Sequence, residues 1–178
     1  KIKFLLIVIC VSLSSCGIKP ETVLVSPDEK IFLEFSLDKN GKPFYEVVFK
    51  QDTIIKKSSL GFDFQDLKSF SDNFEVVNSS TKEFNETWQM PWGEQLDVVN
   101  NYNELRVELQ EKSDLKRKLN IVFKVYNDGV GFRYEFPKQD NLKEAFIAEE
   151  NTQFNLTEDY KTFWIPGDWD IYEHLYST

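Results

Sequence analysis

The sequence predicts an all-β domain built as an antiparallel sandwich. Short runs of alternating apolar and polar residues recur about every eight to twelve positions, with turn residues between them. The clearest pair, residues 119–126 and 130–136, is joined by Asn127-Asp128-Gly129, and the tolerance of these residues for positive φ suits a tight hairpin turn. Only residues 66–70 and 143–149 have helical character, and neither segment sustains a helical period.

The first part of the chain is predicted to form a meander of short strands. Residues 31–37 and 44–49 alternate on either side of a turn at 38–41, which is the pattern of a hairpin. Residues 53–55 follow directly after a second turn, and residues 60–64 continue in the same style.

The middle of the chain contains four further candidate strands. Leu105, Val107 and Leu109 alternate with polar residues, as expected for a strand with one buried face. The four predicted segments are 74–77, 82–90, 95–100 and 102–111. The 16 Phe and four Trp residues suit either a thick β core or sugar-stacking surfaces, and composition alone favours a core.

The N-terminus has the layout of a secretory signal peptide. A basic start precedes an apolar run at 4–11, and Leu13-Ser14-Ser15-Cys16 follows it. This ending resembles a bacterial lipobox, in which Cys16 becomes the lipid-modified N-terminus. Ordinary signal cleavage, with Cys16 incidental, is the alternative.

These observations predict the layout of the chain. We expect a lipoprotein signal peptide at 1–16, a tether at 17–27, and a partial β-sandwich domain at 28–178. The protein is expected to be exported to the periplasm or outer membrane and held on the membrane through a lipid on Cys16.

Charge and residue types exclude several functions. With 30 acidic and 21 basic residues the chain carries a formal charge of −9, which repels phosphate backbones and argues against nucleic-acid binding. One histidine, two cysteines and scattered glycines cannot supply a zinc site, a hydrolytic triad or a phosphate loop. These three kinds of site are therefore excluded, whereas paired carboxylates of the kind that hydrolyse glycosides cannot be recognised from spacing alone.

Of three aromatic-acidic clusters, the one at 127–134 is explained by its hairpin turn, which leaves two. The first of these lies at 86–94 and contains Trp88, Trp92 and Glu94. It has two interpretations. Either a strand and a proline turn place both tryptophans in the core, or a loop presents tryptophan and glutamate to a ligand or a neighbouring domain.

The second cluster, at 164–176, combines aromatic and carboxylate side chains. Calcium binds carboxylate oxygens in flexible geometry, and sugars stack on aromatic rings while their hydroxyls bond to carboxylates. A solvated surface turn explains the same residues equally well. The candidate residues are Trp164, Asp168, Trp169, Asp170 and Glu173.

Five motifs, taken together and in order, resemble the N-terminal domain of glycoside hydrolase family 97, which includes the Bacteroides-type α-glucosidases and α-galactosidases. The motifs lie at 86–94, 101–105, 127–136, 154–156 and 164–176. The resemblance implies a galactose-mutarotase-like β-super-sandwich that packs against a catalytic (β/α)8 barrel. It further implies that the catalytic residues lie in that barrel and none within this sequence, and that this chain stops before the sandwich is complete.

The same resemblance implies a calcium ion in the active site and an α-linked glucose or galactose oligosaccharide as substrate. Glu173 is the position that matches the family's calcium ligand from this domain, although His174 stands where an aromatic residue is expected. The alternative is a stand-alone surface lipoprotein that binds glycans on Trp88, Trp92, Trp164 and Trp169 without cleaving them.

Overall fold

The computed structural model describes residues 22–165, which form eleven β-strands. The strands are β1 Val23–Val25, β2 Ile31–Leu37, β3 Pro43–Phe49, β4 Asp52–Ser59, β5 Phe62–Phe64, β6 Phe74–Gln89, β7 Asp97–Glu111, β8 Lys118–Val125, β9 Val130–Glu135, β10 Ile147–Glu150 and β11 Asn155–Leu156. Within this range there is no helix long and apolar enough to cross a membrane. The predicted signal peptide, Cys16 and most of the second aromatic-acidic cluster lie outside the described residues.

Two antiparallel sheets face each other across one core. The five-stranded sheet has the order β1-β2-β3-β4-β11, the four-stranded sheet has the order β6-β7-β8-β9, and β10 pairs with β5 beside them. Leu33 and Tyr45 from the five-stranded sheet pack with Leu105, Ile121 and Phe123 from the four-stranded sheet. The predicted all-β antiparallel sandwich is confirmed.

The predicted β2–β3 hairpin is present with an unbroken register. Ile31 pairs with Phe49 at one end and Leu37 pairs with Pro43 at the other. Gly41 in its turn has φ +76°, and a Cβ atom there would lie 2.4 Å from the carbonyl oxygen of Phe74. Glycine is required at this position both by the backbone conformation and by the close approach of β6.

The four short strands predicted in the middle of the chain are wrong, because the structure has two long strands instead. Strands β6 and β7 contain 16 and 15 residues and pair continuously, with one bulge between Val76 and Asn78. Residues such as Asn78-Ser79-Ser80 have turn composition, but here they remain in the strand because each of them pairs with a residue of β7.

The hairpin at β8–β9 is confirmed, but its turn differs from the expectation. The amide of Tyr126 donates to the carbonyl of Gly129 at 2.8 Å. Neither Gly129 nor the two residues before it have positive φ. The turn therefore does not use the conformational freedom that the sequence suggested.

Two boundaries also differ from the expectation. Val23–Val25 pairs with β2, so the predicted tether at 17–27 includes the first strand of the sheet. The weakly helical segments at 66–70 and 143–149 contain no helix, and the second of them leads into β10.

A buried ion pair fixes the end of the β7–β8 hairpin. The Arg117 guanidinium donates from Nε and Nη2 to the two carboxylate oxygens of Glu111, both at 2.7 Å. It also donates to the carbonyls of Lys68 and Ser69, and its Cζ atom lies 4.7 Å from the ring centre of Phe70. These contacts hold the segment after β5 against the hairpin, and they satisfy a charge that would otherwise be costly to bury.

Candidate functional site: the end of the long hairpin

The β6–β7 hairpin has a covered half and an uncovered half. We call residues 83–103 the overhang. Leu105 and Val99 occupy equivalent inward positions on β7, but Leu105 is fully buried and Val99 is 65% exposed. The opposing sheet therefore covers β7 near Leu105 and leaves the inward face of this strand open at Val99, within the overhang.

The tip of the overhang presents the first aromatic-acidic cluster. The amide of Met90 donates to the carbonyl of Leu96 at 2.8 Å and closes the loop. Trp88 is 45% exposed, Trp92 is 81% exposed, and Glu94 is also exposed. The interpretation of these residues as two core tryptophans is wrong. The arrangement is that of the second interpretation, a loop that presents tryptophan and glutamate outward.

The second cluster is described only at its beginning. Trp164 is 52% exposed, and the neighbouring Phe163 is also exposed. The predicted residues Asp168, Trp169, Asp170 and Glu173 lie outside the described residues. The structure therefore places Trp88, Trp92 and Glu94 together on one hairpin.

A cleft that the sequence did not reveal lies beside the overhang. We call it the hairpin cleft; its volume is about 730 Å³, and it opens between the β1–β2 turn and the two long strands. Four polar residues of the overhang, Glu83, Asn85, Asn101 and Asn103, form one wall, and Phe32 contributes to the other. The signal available in the sequence was the three asparagines inside strands, a residue type that strands usually avoid.

Five of the carboxylates in the described part of the chain form ion pairs, namely Asp28, Glu104, Glu108, Glu111 and Glu135. Glu135 bonds to Arg106 and, at 2.7 Å, to Arg133. The hydrogen bond from Arg106 holds the pKa of Glu135 below its usual range, so the group stays ionised as a structural anion. Within residues 22–165, no three His, Cys, Asp or Glu side chains are grouped so that they could hold a metal ion.

Comparison with known proteins decides the family. The family model described as "Glycosyl-hydrolase 97 N-terminal" matches residues 24–178, which is most of the chain. The chain belongs to this family. The hairpin and its cleft therefore lie in a glycosyl-hydrolase 97 N-terminal domain.

Solved structures agree with this assignment. A glycoside hydrolase family 97 enzyme from Pseudoalteromonas sp. strain K8 in complex with acarbose is 35% identical, with a TM-score of 0.80 over 87% of this chain. The panose complex of an E480Q form of an enzyme from that strain has a TM-score of 0.79. A beta-arabinopyranosidase is 29% identical, with a TM-score of 0.71 over 80% of this chain.

The chain spans about a quarter of the length of these structures, namely 24% of the enzyme with acarbose and 22% of the beta-arabinopyranosidase. What the chain itself provides is therefore the N-terminal β-sandwich of a family 97 glycoside hydrolase. Its exposed hairpin tip and its cleft are features of that domain.

Proposed function

We propose that this chain is the N-terminal domain of an exported glycoside hydrolase that cleaves α-glucosidic or α-galactosidic bonds. The observation that supports this proposal most strongly is the family match over residues 24–178, together with 35% identity to a family 97 enzyme. In this proposal a (β/α)8 barrel elsewhere in the protein holds the catalytic acid and the base or nucleophile. The sandwich supports that barrel and shapes one side of its substrate site.

The exposed tip of the overhang is the part of the described chain best suited to this role. Trp88 and Trp92 present large apolar rings, and Glu94 adds a carboxylate beside them. Aromatic faces and carboxylates are the groups that bind sugar rings and their hydroxyls. We assign the tip either to the barrel interface or to the substrate.

The proposal includes a calcium ion held partly by this domain. Asp168, Asp170 and Glu173 are oxygen donors of the kind calcium prefers, and Glu173 is the proposed ligand. A bound calcium would polarise the scissile oxygen or a substrate hydroxyl. The contribution of this chain is a charged oxygen ligand delivered from the sandwich into the site.

The activity is tested with the protein produced at its full natural length. Release of the aryl group is measured from α-glucoside, α-galactoside and β-arabinopyranoside substrates, with and without a calcium chelator. We expect hydrolysis of one of the two α-hexosides and its loss when calcium is removed. Hydrolysis of the arabinopyranoside alone would show that the sugar specificity follows the 29% identical relative, and no hydrolysis of any glycoside would refute the enzymatic proposal.

Export and lipidation form a separate part of the proposal. Labelling of growing cells with a radioactive fatty acid should mark the wild-type protein but not Cys16→Ser. Equal labelling of both proteins, or of neither, would remove Cys16 as the lipid attachment site. The enzymatic proposal does not depend on this result.

The exposed tryptophans also favour a second function, namely glycan binding without cleavage. In this alternative Trp88, Trp92, Trp164 and Trp169 act as stacking platforms on a surface lipoprotein. Calorimetric titration of the protein with an oligosaccharide distinguishes the two functions. Heat of binding without any glycoside hydrolysis supports the binding module, whereas turnover of a glycoside excludes it as the sole function.

A further inference from the structure

The hairpin cleft is formed at the position where the inward face of the four-stranded sheet changes from apolar to polar. On β7 the buried residues Leu109, Val107 and Leu105 are followed on the same face by Asn103 and Asn101. The change coincides with the start of the overhang, where the opposing sheet no longer covers the hairpin. The polar residues therefore face an open space rather than a core.

Four of these polar side chains form a compact patch. Asn103 pairs with Glu83 and Asn101 pairs with Asn85, directly across the β6–β7 ladder. Residues opposite each other in an antiparallel pair have Cβ atoms only about 5 Å apart. Three amides and one carboxylate thus converge on one side of the cleft.

Asn103 is held in place by a hydrogen bond to the protein, whereas the other three side chains of the patch are available to bind a ligand. Asn103 donates from Nδ2 to the carbonyl of Val25 at 2.8 Å, which fixes its side chain at the edge of β1. Within residues 22–165, Glu83, Asn85 and Asn101 make no side-chain hydrogen bond to the protein. Strands usually avoid asparagine, so three of them on one face carry a conformational cost that a binding role would explain.

The opposite rim of the cleft is rigid. The Ser26 hydroxyl donates to Asp28 at 2.7 Å and accepts from the amides of Lys30 and Ile31, each at 3.0 Å. The amide of Asp28 also donates to the Asn127 side chain at 3.0 Å, which ties this turn to the β8–β9 turn. The rim is therefore formed in advance, and a ligand would not have to order it.

The chemistry of the two walls selects a class of ligand. Amides both donate and accept hydrogen bonds, as sugar hydroxyls do, and the exposed ring of Phe32 offers an apolar face to sugar C–H groups. Glu29 and Glu83 line the same cleft and repel anionic ligands. The volume of about 730 Å³ lies within the range of small-molecule sites, about 300–1,000 Å³.

We propose that the hairpin cleft binds a neutral oligosaccharide, with Asn85, Asn101 and Asn103 bonding to its hydroxyls and Phe32 contacting a ring face. The choice of a carbohydrate rests on the proposed function. The location and the neutral, hydroxyl-rich character of the ligand rest on the patch and the rim.

The test is hydrogen–deuterium exchange of the full-length protein titrated with panose. We expect panose to slow exchange in peptides that cover residues 24–33 and 97–104. Asn101→Ala should raise the panose concentration needed for half of this effect about fivefold, through loss of hydrogen bonds to neutral groups. Asn100→Ala is the matched control, because it is the next residue on β7, lies on the opposite face and does not line the cleft.

Two outcomes would overturn the proposal. One is the absence of slower exchange in those peptides at panose concentrations that saturate the enzyme. The other is full protection of both peptides without panose, combined with a lower melting temperature of Asn101→Ala, which would mean that another part of the polypeptide fills the cleft. Hydrolysis of aryl glycosides is measured in parallel, so that the two proposals can fail separately. Slower exchange without hydrolysis would refute only the proposed glycosidase activity. Hydrolysis without slower exchange would refute only the proposed binding of oligosaccharide in the hairpin cleft.

Discussion

The two halves of the β6–β7 hairpin share one ladder but have opposite surfaces. On β7 the inward side chain of Leu105 is fully buried, whereas that of Val99 on the same strand is exposed. Backbone pairing is continuous through both halves, so the hydrogen bonds between the strands do not create the difference. The difference lies in what the opposing sheet covers. The covered half stabilises the sandwich, and we assign the overhang to binding.

The largest expected effect is on the covered end of the hairpin, where Glu111 pairs with Arg117. Glu111→Ala should lower the free energy of unfolding by about 3–5 kcal/mol, because it leaves a buried guanidinium without its partner. Urea unfolding followed by tryptophan fluorescence measures this change. Glu108→Ala is the control, since its contact with Arg106 is longer, at 3.8 Å, and more exposed, and it should cost about 1 kcal/mol or less. Equal losses of unfolding free energy in both variants would contradict the conclusion that the buried Glu111–Arg117 pair contributes more to stability than the exposed pair.

A leucine in each half gives the most direct contrast. Leu105→Ala should destabilise the protein by about 2–5 kcal/mol because it creates a cavity in the core, whereas the exposed Leu96→Ala should cost about 0.5 kcal/mol or less. The measurement is again urea unfolding. A large loss of stability in Leu96→Ala would mean that another part of the protein covers the overhang.

The covered core should also respond to alkaline pH. Burial raises the pKa of Tyr45 to about 12, above the ordinary value of 10.0. Because the folded state keeps the proton, this stabilisation is present below pH 10 and is lost as the pH rises towards 12, by about 2 kcal/mol.

Thermal unfolding between pH 9 and pH 12 tests this expectation. Tyr45→Phe should lose stability less steeply with pH than the wild type. Part of the slope should remain, because burial also raises the pKa of Tyr134 to about 12. Identical slopes for Tyr45→Phe and the wild type would remove Tyr45 as a source of the alkaline destabilisation.

The smallest expected effect on stability is at the tip of the overhang. Trp92→Ala should change the free energy of unfolding by no more than about 0.5 kcal/mol, because the ring is mostly in solvent. In the full-length enzyme, the same change should lower kcat/KM about tenfold if the tip contacts substrate or barrel. Unchanged kcat/KM together with unchanged stability would show that Trp92 contributes neither to catalysis nor to stability.

The all-β class and two of the hairpins could be predicted because apolar and polar residues alternate along much of their strands. The β2–β3 and β8–β9 hairpins follow from period-two patterns, and Gly41 occupies the turn that needs it. The length of β6 and β7 could not be predicted, since Asn78-Ser79-Ser80 has turn composition and only the presence of a paired partner keeps it extended. The preference of these three residues for a turn is outweighed by their pairing with β7.

The site was less predictable than the fold, for a physical reason. A segment such as Trp88-Gln89-Met90-Pro91-Trp92 can be core or surface, and the choice depends on whether the opposing sheet reaches it, which sequence spacing does not encode. The hairpin cleft was missed because Glu83 and Asn103 become neighbours only through the register of the ladder. The prediction for Glu173 stays a prediction, since it lies outside the described residues.

The calcium dependence of the full-length enzyme tests the central claim most directly. The rate of glycoside hydrolysis is titrated with calcium for the wild type, Glu173→Gln and the control Glu158→Gln, an exposed carboxylate on the segment after β11. We expect Glu173→Gln to raise the half-saturating calcium concentration by about tenfold or more, because a charged ligand becomes neutral. The control should match the wild type. A Glu173→Gln titration that also matches the wild type would contradict the claim that this domain supplies a ligand to the catalytic calcium.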